Sequence, residues 1–368
     1  MFVSIQNAHT IACNGYYQPY VQTYAETVLA QRTDDLFCYS AKEDGKVLSV
    51  TPKGILVEYK SGEKRGVELG RRYGNAEGST YPHDIVSHMQ EGEKFVKGDV
   101  IAYNTGFWEQ DYANPRRVVL KMSRMVMTAF EESAVTHEDS CSLHEDVTKT
   151  MVAKTTKVKS YIVNFNQNLH EVQKPGTTLE PDSILMSIED EITMGTNLFD
   201  AESSAILGKL SRMNPRSSYT GTLDKIEVFY HGDKADMTPS IKALADRSDK
   251  AMVESCKARG ETPYTGRVSG DYRVKGKNLL LDTAEIKFYI TVDNDTSAGD
   301  KFVFANQLKT TAGQIFKHDV FTEDGIKIEA KFGGRSAIKR IVNSYAIEGT
   351  TTMLLMLEEK DIVDMYFK

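Results

Sequence analysis

The sequence has few of the features by which a protein's compartment is usually recognised. Its four cysteines, Cys13, Cys38, Cys141 and Cys256, are scattered and form no CxxC pair, which fits a reducing cytoplasm. No run approaches the roughly 18 consecutive apolar residues that a membrane helix needs. The first residues also lack a basic segment followed by an apolar one. We therefore expect a cytoplasmic protein without a signal peptide or membrane span.

The short motifs of familiar small enzymes are missing as well. There is no GxxxxGKS/T, HExxH or GxSxG segment, which argues against a P-loop, a zinc-protease helix and a nucleophile elbow. His137, Cys141 and His144 have a spacing that suggests zinc, but no second His/Cys pair completes the ligand set. Asp293–Asp295 lacks the glycine and glutamate that a calcium loop requires. Core or surface residues are the stronger interpretation of both patterns.

Positive charge is scarce overall but concentrated near the C-terminal end. The 45 Lys and Arg residues against 52 Asp and Glu residues give a net charge of −7, which argues against coating nucleic acid by bulk attraction. Residues 301–340, however, contain eight basic and four acidic residues, a local balance of +4. A solvated surface of mixed charge explains this equally well.

Strand signals dominate the 368 residues, which suffice for one large domain or two to three ordinary ones. Residues 286–292 and 326–332 alternate apolar and polar side chains, the period-2 pattern of a half-buried strand. Val47–Val50 and Gly54–Lys60 predict an antiparallel pair. The more continuously apolar stretch Val118–Phe130 predicts a strand buried on both faces.

Two helices are also predicted. The first lies between Thr238 as N-cap and Gly260 as the left-handed C-terminal residue, with Pro239 in its first turn. Its apolar stripe consists of Ile241, Leu244, Ala245 and Met252. The second begins near Ser336 and places Ile338, Ile341, Val342 and Tyr345 on one face. The fold class is therefore β-rich α+β with compact barrels.

Two charged features are candidate functional residues. Glu138 and Asp139 follow the predicted buried strand, and a carboxylate pair can support a metal ion through water or bind a basic partner. Gly299–Lys301 forms a turn after the strand at 286–292, and Lys309 follows eight residues later. A lysine held at a strand end can present a point charge to a phosphate. Alone, each feature is more typical of a surface turn than of a functional site.

In order along the chain, these features resemble the β subunit of multisubunit DNA-directed RNA polymerases. Asn7, Asn14 and Gln18 are in register with a family segment, and the GDK sequence at 299–301 with Lys309 resembles the family's G-D-K-x7-K signature. Five blocks follow the family's order: NAHTIACNGYYQPY, RRYGNAEGSTYPHDIVSHMQEGEKFVKGDVIA, KMSRMVMTAFEESAVTHEDSCSLHEDV, AEIKFYITVDNDTSAGDKFVFANQLKT and DGIKIEAKFGGRSAIKRIVNS.

The resemblance implies a double-psi β-barrel with an accessory β module and an inserted flap-like domain. The barrel would start in residues 1–40, continue in 118–150 and be completed in 284–368 together with a C-terminal helix. Residues 41–117 would form the accessory module. The poorly matching residues 151–283 would take the place of the flap, or wall.

The resemblance also implies a role in nucleotidyl transfer. Lys301 and Lys309 would lie near the RNA 3′ end and the α-phosphate, and Glu138 with Asp139 near the metal of the entering nucleotide. In the family, Mg²⁺ is held by a D-F-D-G-D loop of the β′ subunit, and this loop is absent here. The chain would therefore hold no metal itself and would be inactive alone.

Further contacts to nucleic acid or nucleoside triphosphate follow from the same resemblance. They are expected at five positions, of which Arg335 or Arg340 would replace the family's triphosphate-binding arginine. That arginine falls on Ala337, and a second family arginine falls on Ala8. The five positions are Asn14, Gln18, Arg335, Lys339 and Arg340.

The resemblance implies that the chain corresponds to the C-terminal half of β without the clamp, similar to the split β fragments of large-phage polymerases. The resemblance implies several partners: a β′-type subunit, a separate β N-terminal fragment, a clamp fragment, a promoter-specificity factor, template DNA and RNA. A phage-encoded chain would act in the host cytoplasm or be carried in the virion.

Two other functions remain open at this point. The missing arginines favour a non-catalytic β-like protein, either a virion component or a decoy that binds host polymerase. Residues Glu93–Ala102 alone suggest a carrier with a biotinyl-like barrel, but they lack the exposed hairpin lysine that such carriers modify.

Overall fold

β-strands are the main regular element of the computed structural model, which describes residues 25–76, 78–111, 114–121, 124–190, 212–304, 308–340 and 343–367. This part of the chain is β-rich, with few helices and several sheets, none of them closed. Its strands are β1 (Cys38–Ser40), β2 (Gly45–Thr51), β3 (Gly54–Tyr59), β4 (Lys64–Glu68), β5 (Gly70–Ala76), β6 (Ser79–Val86), β7 (Lys94–Phe95), β8 (Val100–Asn104), β9 (Trp108–Gln110), β10 (Val118–Leu120), β11 (Thr128–Phe130), β12 (Ser140–His144), β13 (Ala153–Asn164), β14 (Asn168–His170), β15 (Thr178–Leu179), β16 (Ser187–Glu189), β17 (Gly221–His231), β18 (Arg273–Val274), β19 (Lys277–Asn278), β20 (Thr283–Asn294), β21 (Lys301–Phe304), β22 (Leu308–Phe316) and β23 (Ala330–Phe332).

The helices are few, and one of them is long and exposed. None of the helices in the described ranges is long and apolar enough to cross a membrane. A 3₁₀ turn covers Lys234–Asp236. The α-helices are α1 (Ala25–Arg32), α2 (Glu145–Thr150), α3 (Pro239–Arg259), α4 (Gly334–Lys339) and α5 (Asn343–Tyr366).

The chain divides into two compact units, each built from stretches that are distant in sequence. Unit 1 comprises Met1–Ser40, Gly98–Ala153 and Asn294–Lys368. Unit 2 comprises Ala41–Lys97 and Lys154–Asp293. The separate stretches of each unit therefore come together through long-range pairing.

In unit 2 the strands of one sheet follow the order β5-β6-β13-β20-β17-β15. β17 and β20 pair antiparallel from Thr222↔Thr291 to His231↔Thr283. The predicted alternation in 286–292 is confirmed, since Ile286, Phe288 and Ile290 are fully buried. A second sheet of unit 2, β4-β3-β2-β7, contains the predicted antiparallel pair of β2 and β3.

Helix α3 packs on the core of unit 2 and largely follows its sequence signals. Pro239 opens it, and Gly260 ends it with φ +71°, the left-handed conformation that glycine adopts without a Cβ clash. The predicted apolar stripe is buried. Thr238, however, makes no capping hydrogen bond; its hydroxyl instead donates to the Gln167 carbonyl at 2.6 Å.

Three local predictions in unit 1 hold only in part. Residues 118–130 form two separate strands, because Arg124 between them turns its guanidinium to Glu329 at 2.6 Å. In 326–332 the alternating burial is confirmed, but only β23 is a strand, since the amides of Ile328 and Glu329 donate to carbonyls outside any ladder. The helix near Ser336 is confirmed as α4, but its Ile338 is 75% exposed rather than on a buried face. Tyr345 lies in α5, and Ile341 and Val342 lie outside the described residues.

The buried carboxylate of Asp249 in α3 provides a test of the packing of unit 2. It accepts hydrogen bonds from the Gly266 amide at 2.7 Å and the Tyr230 hydroxyl at 3.0 Å, and pairs with the Lys234 ammonium. We expect Asp249→Ala to lower the free energy of unfolding by about 3–5 kcal/mol, because it leaves these groups unpaired. Urea denaturation measures the change.

The matched control is Asp246→Ala, since Asp246 also binds the Lys234 ammonium, at 2.6 Å, but its side chain is 55% exposed. Exposed ion pairs contribute about 1 kcal/mol or less. Equal losses in the two variants would contradict a structural role for the buried cluster.

Candidate functional site

The candidate residues lie on and around a five-stranded sheet in unit 1 with the order β11-β23-β12-β22-β21. Strand β12 is at its centre, parallel to β22 from Ser140↔Thr311 to His144↔Phe316 and antiparallel to β23. One side of the sheet packs into a small core. The buried members of that core are Cys141, Leu143, Leu308, Ala312, Ala330, Phe332 and Ala337.

Glu138 and Asp139 form a tight turn at the start of β12. Both have positive φ, 37° and 57°, which is uncommon for residues with a side chain. The backbone of Asp139 is fixed from two sides: its amide donates to the Ser336 hydroxyl at 3.0 Å, and its carbonyl accepts from the Thr311 amide at 2.8 Å. The turn is therefore held between β22 and α4.

Both carboxylates of this turn are paired with basic residues at the end of α4. Glu138 Oε1 lies 2.5 Å from Lys339 Nζ, and the Asp139 carboxylate binds the Arg340 guanidinium directly. Arg340 also donates through Nη1 to the Lys309 carbonyl at 3.0 Å. Arg340 thus ties the acidic turn to strand β22, and neither carboxylate is a spare ligand for a metal ion.

The Lys339 ammonium holds the pKa of Glu138 below its ordinary value, chiefly through their hydrogen bond. Arg335 and His137 add smaller electrostatic contributions in the same direction. Both partners of the ion pair are 61% exposed, so water screens the interaction and its effect on stability is small.

Lys301 and Lys309 lie on two paired strands rather than in one loop between strands. Lys301 is opposite Thr311 and Lys309 is opposite Val303 in the β21–β22 pair. Lys309 stands two residues from Thr311, the partner of Lys301, so both lysines lie on the same face of the two strands. They are diagonal neighbours, with Cα atoms about 7–8 Å apart. Both are exposed, and neither ammonium has an ion-pair partner among the described residues.

Of the remaining predicted binding positions, only Arg335 lies in the part of the chain that the structure describes. Arg335 lies at the start of α4, and its amide donates to Glu132 Oε1 at 2.5 Å. Asn14 and Gln18 lie outside the described residues. The structure therefore brings together six of the predicted site residues: Glu138, Asp139, Lys309, Arg335, Lys339 and Arg340.

The three residues of the tentative zinc pattern do not converge as a set. His137 is 55% exposed and points to Glu132. Cys141 is buried in the core of the sheet, and this burial raises the pKa of its thiol to about 11. Its thiolate, the form that binds metals, is therefore disfavoured.

His144 instead meets two carboxylates that the sequence analysis did not select, Asp146 and Asp319. Asp146 stands two residues after His144, which is a weak local signal. Asp319 is far away in sequence and follows β22, so only the pairing of β12 with β22 brings it near. Lys327 completes this group with contacts of 2.8 Å to Asp146 and 2.7 Å to Asp319.

Comparison with known proteins adds no family assignment. The chain matches no protein-family model, and no curated protein matches it significantly. The functional argument consequently depends on the residues and their geometry.

The ion pair of Glu138 generates a prediction about pH. Because the folded pKa is lowered, the interaction favours the folded state at neutral pH, and this contribution is lost as the pH falls through the lowered pKa. We expect Lys339→Ala to raise the Glu138 titration midpoint toward its ordinary value in an NMR titration of side-chain carboxyls.

Glu58 is the internal control, since its pKa is lowered by Lys46 in unit 2. Its midpoint should stay unchanged in Lys339→Ala. An unchanged midpoint for Glu138 would show that the pair does not form in solution.

Proposed function

We propose that the chain is a β-type subunit of a multisubunit DNA-directed RNA polymerase that lines the active centre and contacts the RNA 3′ end and the incoming nucleotide. Residues 1–40, 118–150 and 284–368, most of which belong to unit 1, would supply the double-psi barrel, and residues 41–117 and 151–283 would supply the accessory and flap-like parts. The enzyme would be a nucleotidyltransferase only as an assembled complex.

One observation carries this proposal. Arg340, chosen like Asp139 and Lys309 for its place in the resemblance, binds the carboxylate of Asp139, 201 positions away, and donates to the backbone carbonyl of Lys309. A set of unrelated surface turns has no reason to converge. The convergence supports a common role for these residues.

The chemistry that fits the arrangement is electrostatic. Lys301 and Lys309 present two ammonium groups on the same exposed face of β21 and β22. A preorganised cation offsets the negative charge that develops on a transferring phosphate. The bond from Arg340 to the Lys309 carbonyl fixes the backbone that carries one of these charges.

Mg²⁺ for the reaction would come from the β′-type partner. The carboxylates of Glu138 and Asp139 are engaged by Lys339 and Arg340, so they do not fit as direct ligands of this ion. Bound Mg²⁺ would clamp the attacking and leaving oxygens. The residues of this chain would position the substrates by charge.

Helix α5 supports the proposed assembly. None of its described side chains is buried, although apolar helices of this kind are normally enclosed. A β′-type subunit is the partner that the proposal assigns to this surface. Its exposed apolar residues are Ile347, Met353, Leu354, Leu355, Met356, Leu357, Ile362, Val363, Met365 and Tyr366.

A non-catalytic β-like protein, acting as a virion component or a decoy for host polymerase, is the second candidate. Ala337 stands where the family has its triphosphate-binding arginine, and it is 2% exposed within the core of the sheet. The absence of that arginine favours a protein that binds polymerase without catalysing nucleotide addition. Arg335 or Arg340 is the residue that would replace it in a catalytic subunit.

Substitution of Lys301 and Lys309 distinguishes the catalytic subunit from the non-catalytic β-like protein. We expect Lys301→Ala and Lys309→Ala to slow nucleotide addition by the reconstituted complex about 10²–10³-fold, the usual effect of removing one preorganised charge donor. Assembly should be unaffected, because both side chains are exposed. Single-nucleotide extension of a primed RNA measures the rate.

Lys317→Ala is the matched control, since Lys317 is exposed directly after β22. Lys327 is unsuitable because it binds two carboxylates. Wild-type extension by both lysine variants would refute the catalytic role and favour the non-catalytic relative.

A second prediction concerns the isolated chain. Obligate interfaces bury more than about 2,000 Å², so the chain without its partners should self-associate and synthesise no RNA. Replacing Leu354 and Leu357 by serine removes two apolar side chains from one face of α5. Sedimentation velocity should then show smaller species.

The control replaces Leu280 and Leu281 by serine, since these are 72% and 64% exposed in unit 2. It should leave the sedimentation profile unchanged. RNA synthesis by the purified chain alone, or a monomer with intact α5, would contradict the prediction.

A further inference from the structure

A second charged cluster lies at the opposite end of β12 from the Glu138–Asp139 turn. His144 ends the strand and precedes α2, Asp146 lies in the first turn of α2, and Asp319 follows β22. Each offers one ligand atom, and these atoms lie within 4.8 Å of one another. Imidazole and carboxylate groups are ligands of zinc and related divalent ions.

The histidine is the unusual member of this cluster. Its side chain is only 3% exposed, yet its Nε2 has no hydrogen-bond partner among the described residues. Asp319 Oδ1 lies 3.1 Å from Nε2, close enough for a hydrogen bond but without the required alignment. A buried, unsatisfied ring nitrogen is costly, and it points to a ligand at this position.

The spacing of the donor atoms suits a small cation. His144 Nε2, the nitrogen that would bind the ion, is 3.1 Å from Asp319 Oδ1, and one ligand atom from each of the three residues lies within 4.8 Å of the others. Ligand atoms about 2.0–2.2 Å from a tetrahedral zinc ion are about 3.3–3.6 Å apart. The phenyl ring of Phe316 meets the imidazole edge-to-face with centroids 5.2 Å apart and limits its rotation.

A cation already occupies part of this space. The Lys327 ammonium binds both carboxylates, at 2.8 Å from Asp146 and 2.7 Å from Asp319. A divalent ion would have to displace it, and the 33% exposed side chain can turn into solvent. A divalent ion carries twice the charge of the Lys327 ammonium and also forms a bond to the imidazole. Both differences would favour the metal ion at this position.

We propose that His144, Asp146 and Asp319 bind a divalent transition-metal ion in exchange for Lys327, with the imidazole coordinating through Nε2. Coordination by Nε2 places the ring proton on Nδ1, which then becomes a hydrogen-bond donor. Nδ1 now accepts a 3.2 Å hydrogen bond from the Asp146 amide, which metal binding would break. That amide lies in the first turn of α2, where N–H groups have no partner within the helix.

The test uses the full chain with Co²⁺, whose visible absorption reports coordination, and Zn²⁺ in calorimetric titration. We expect one ion to bind per chain. Asp319→Asn should weaken binding by at least about tenfold, the scale on which ligand-set changes alter metal affinity. Lys327→Met should strengthen it about tenfold, because the competing ammonium is gone.

Asp246→Asn is the matched control. Asp246 is exposed to nearly the same extent as Asp319, 55% against 53%, and also binds a lysine, but it belongs to no metal-like group of the described residues. It should bind metal as the wild type does. The proposal is overturned if Asp319→Asn and Asp246→Asn bind alike, or if neither wild type nor Lys327→Met binds Co²⁺ or Zn²⁺.

Discussion

The pairing of β12 with β22 and β23 is the constraint on which both charged clusters depend. Its partners lie about 170 to 190 residues later in the chain, so this pairing closes a long loop against conformational entropy. Once formed, it places Glu138 and Asp139 beside α4 at one end, and His144 beside Asp319 at the other. A slip of one residue would turn every side chain of β12 to the wrong face.

Two glycines make this close approach possible. A Cβ on Gly313 would lie 2.5 Å from the Ser140 hydroxyl and 2.9 Å from the Val135 carbonyl. A Cβ on Gly333 would overlap the Thr136 carbonyl. The segment that leads into the Glu138–Asp139 turn therefore packs directly on the backbone at Gly313, in the strand that carries Lys309, and at Gly333, before helix α4, which Arg340 follows.

Local patterns in the sequence predicted the parts of the fold that depend on local physics. The alternation around Ile286, the β2–β3 pair and the Pro239 and Gly260 boundaries of α3 are confirmed. The stretch 118–130 was misread because Arg124 leaves the apolar pattern to reach Glu329. The meeting of His144 with Asp319 has no sequence signal, since it requires the long-range register of β12 and β22. The role of Lys301 and Lys309 follows from family resemblance alone and stays a prediction.

Under the proposed function, this chain is one part of a transcribing complex, with charged residues on the sheet of unit 1 and exposed apolar residues on α5. Isolating the native complex from its natural source and identifying its chains by mass spectrometry tests that claim most directly. We predict a stoichiometric β′-type chain with the D-F-D-G-D loop. Recovery of this chain alone, or in a complex without such a subunit, would contradict the account.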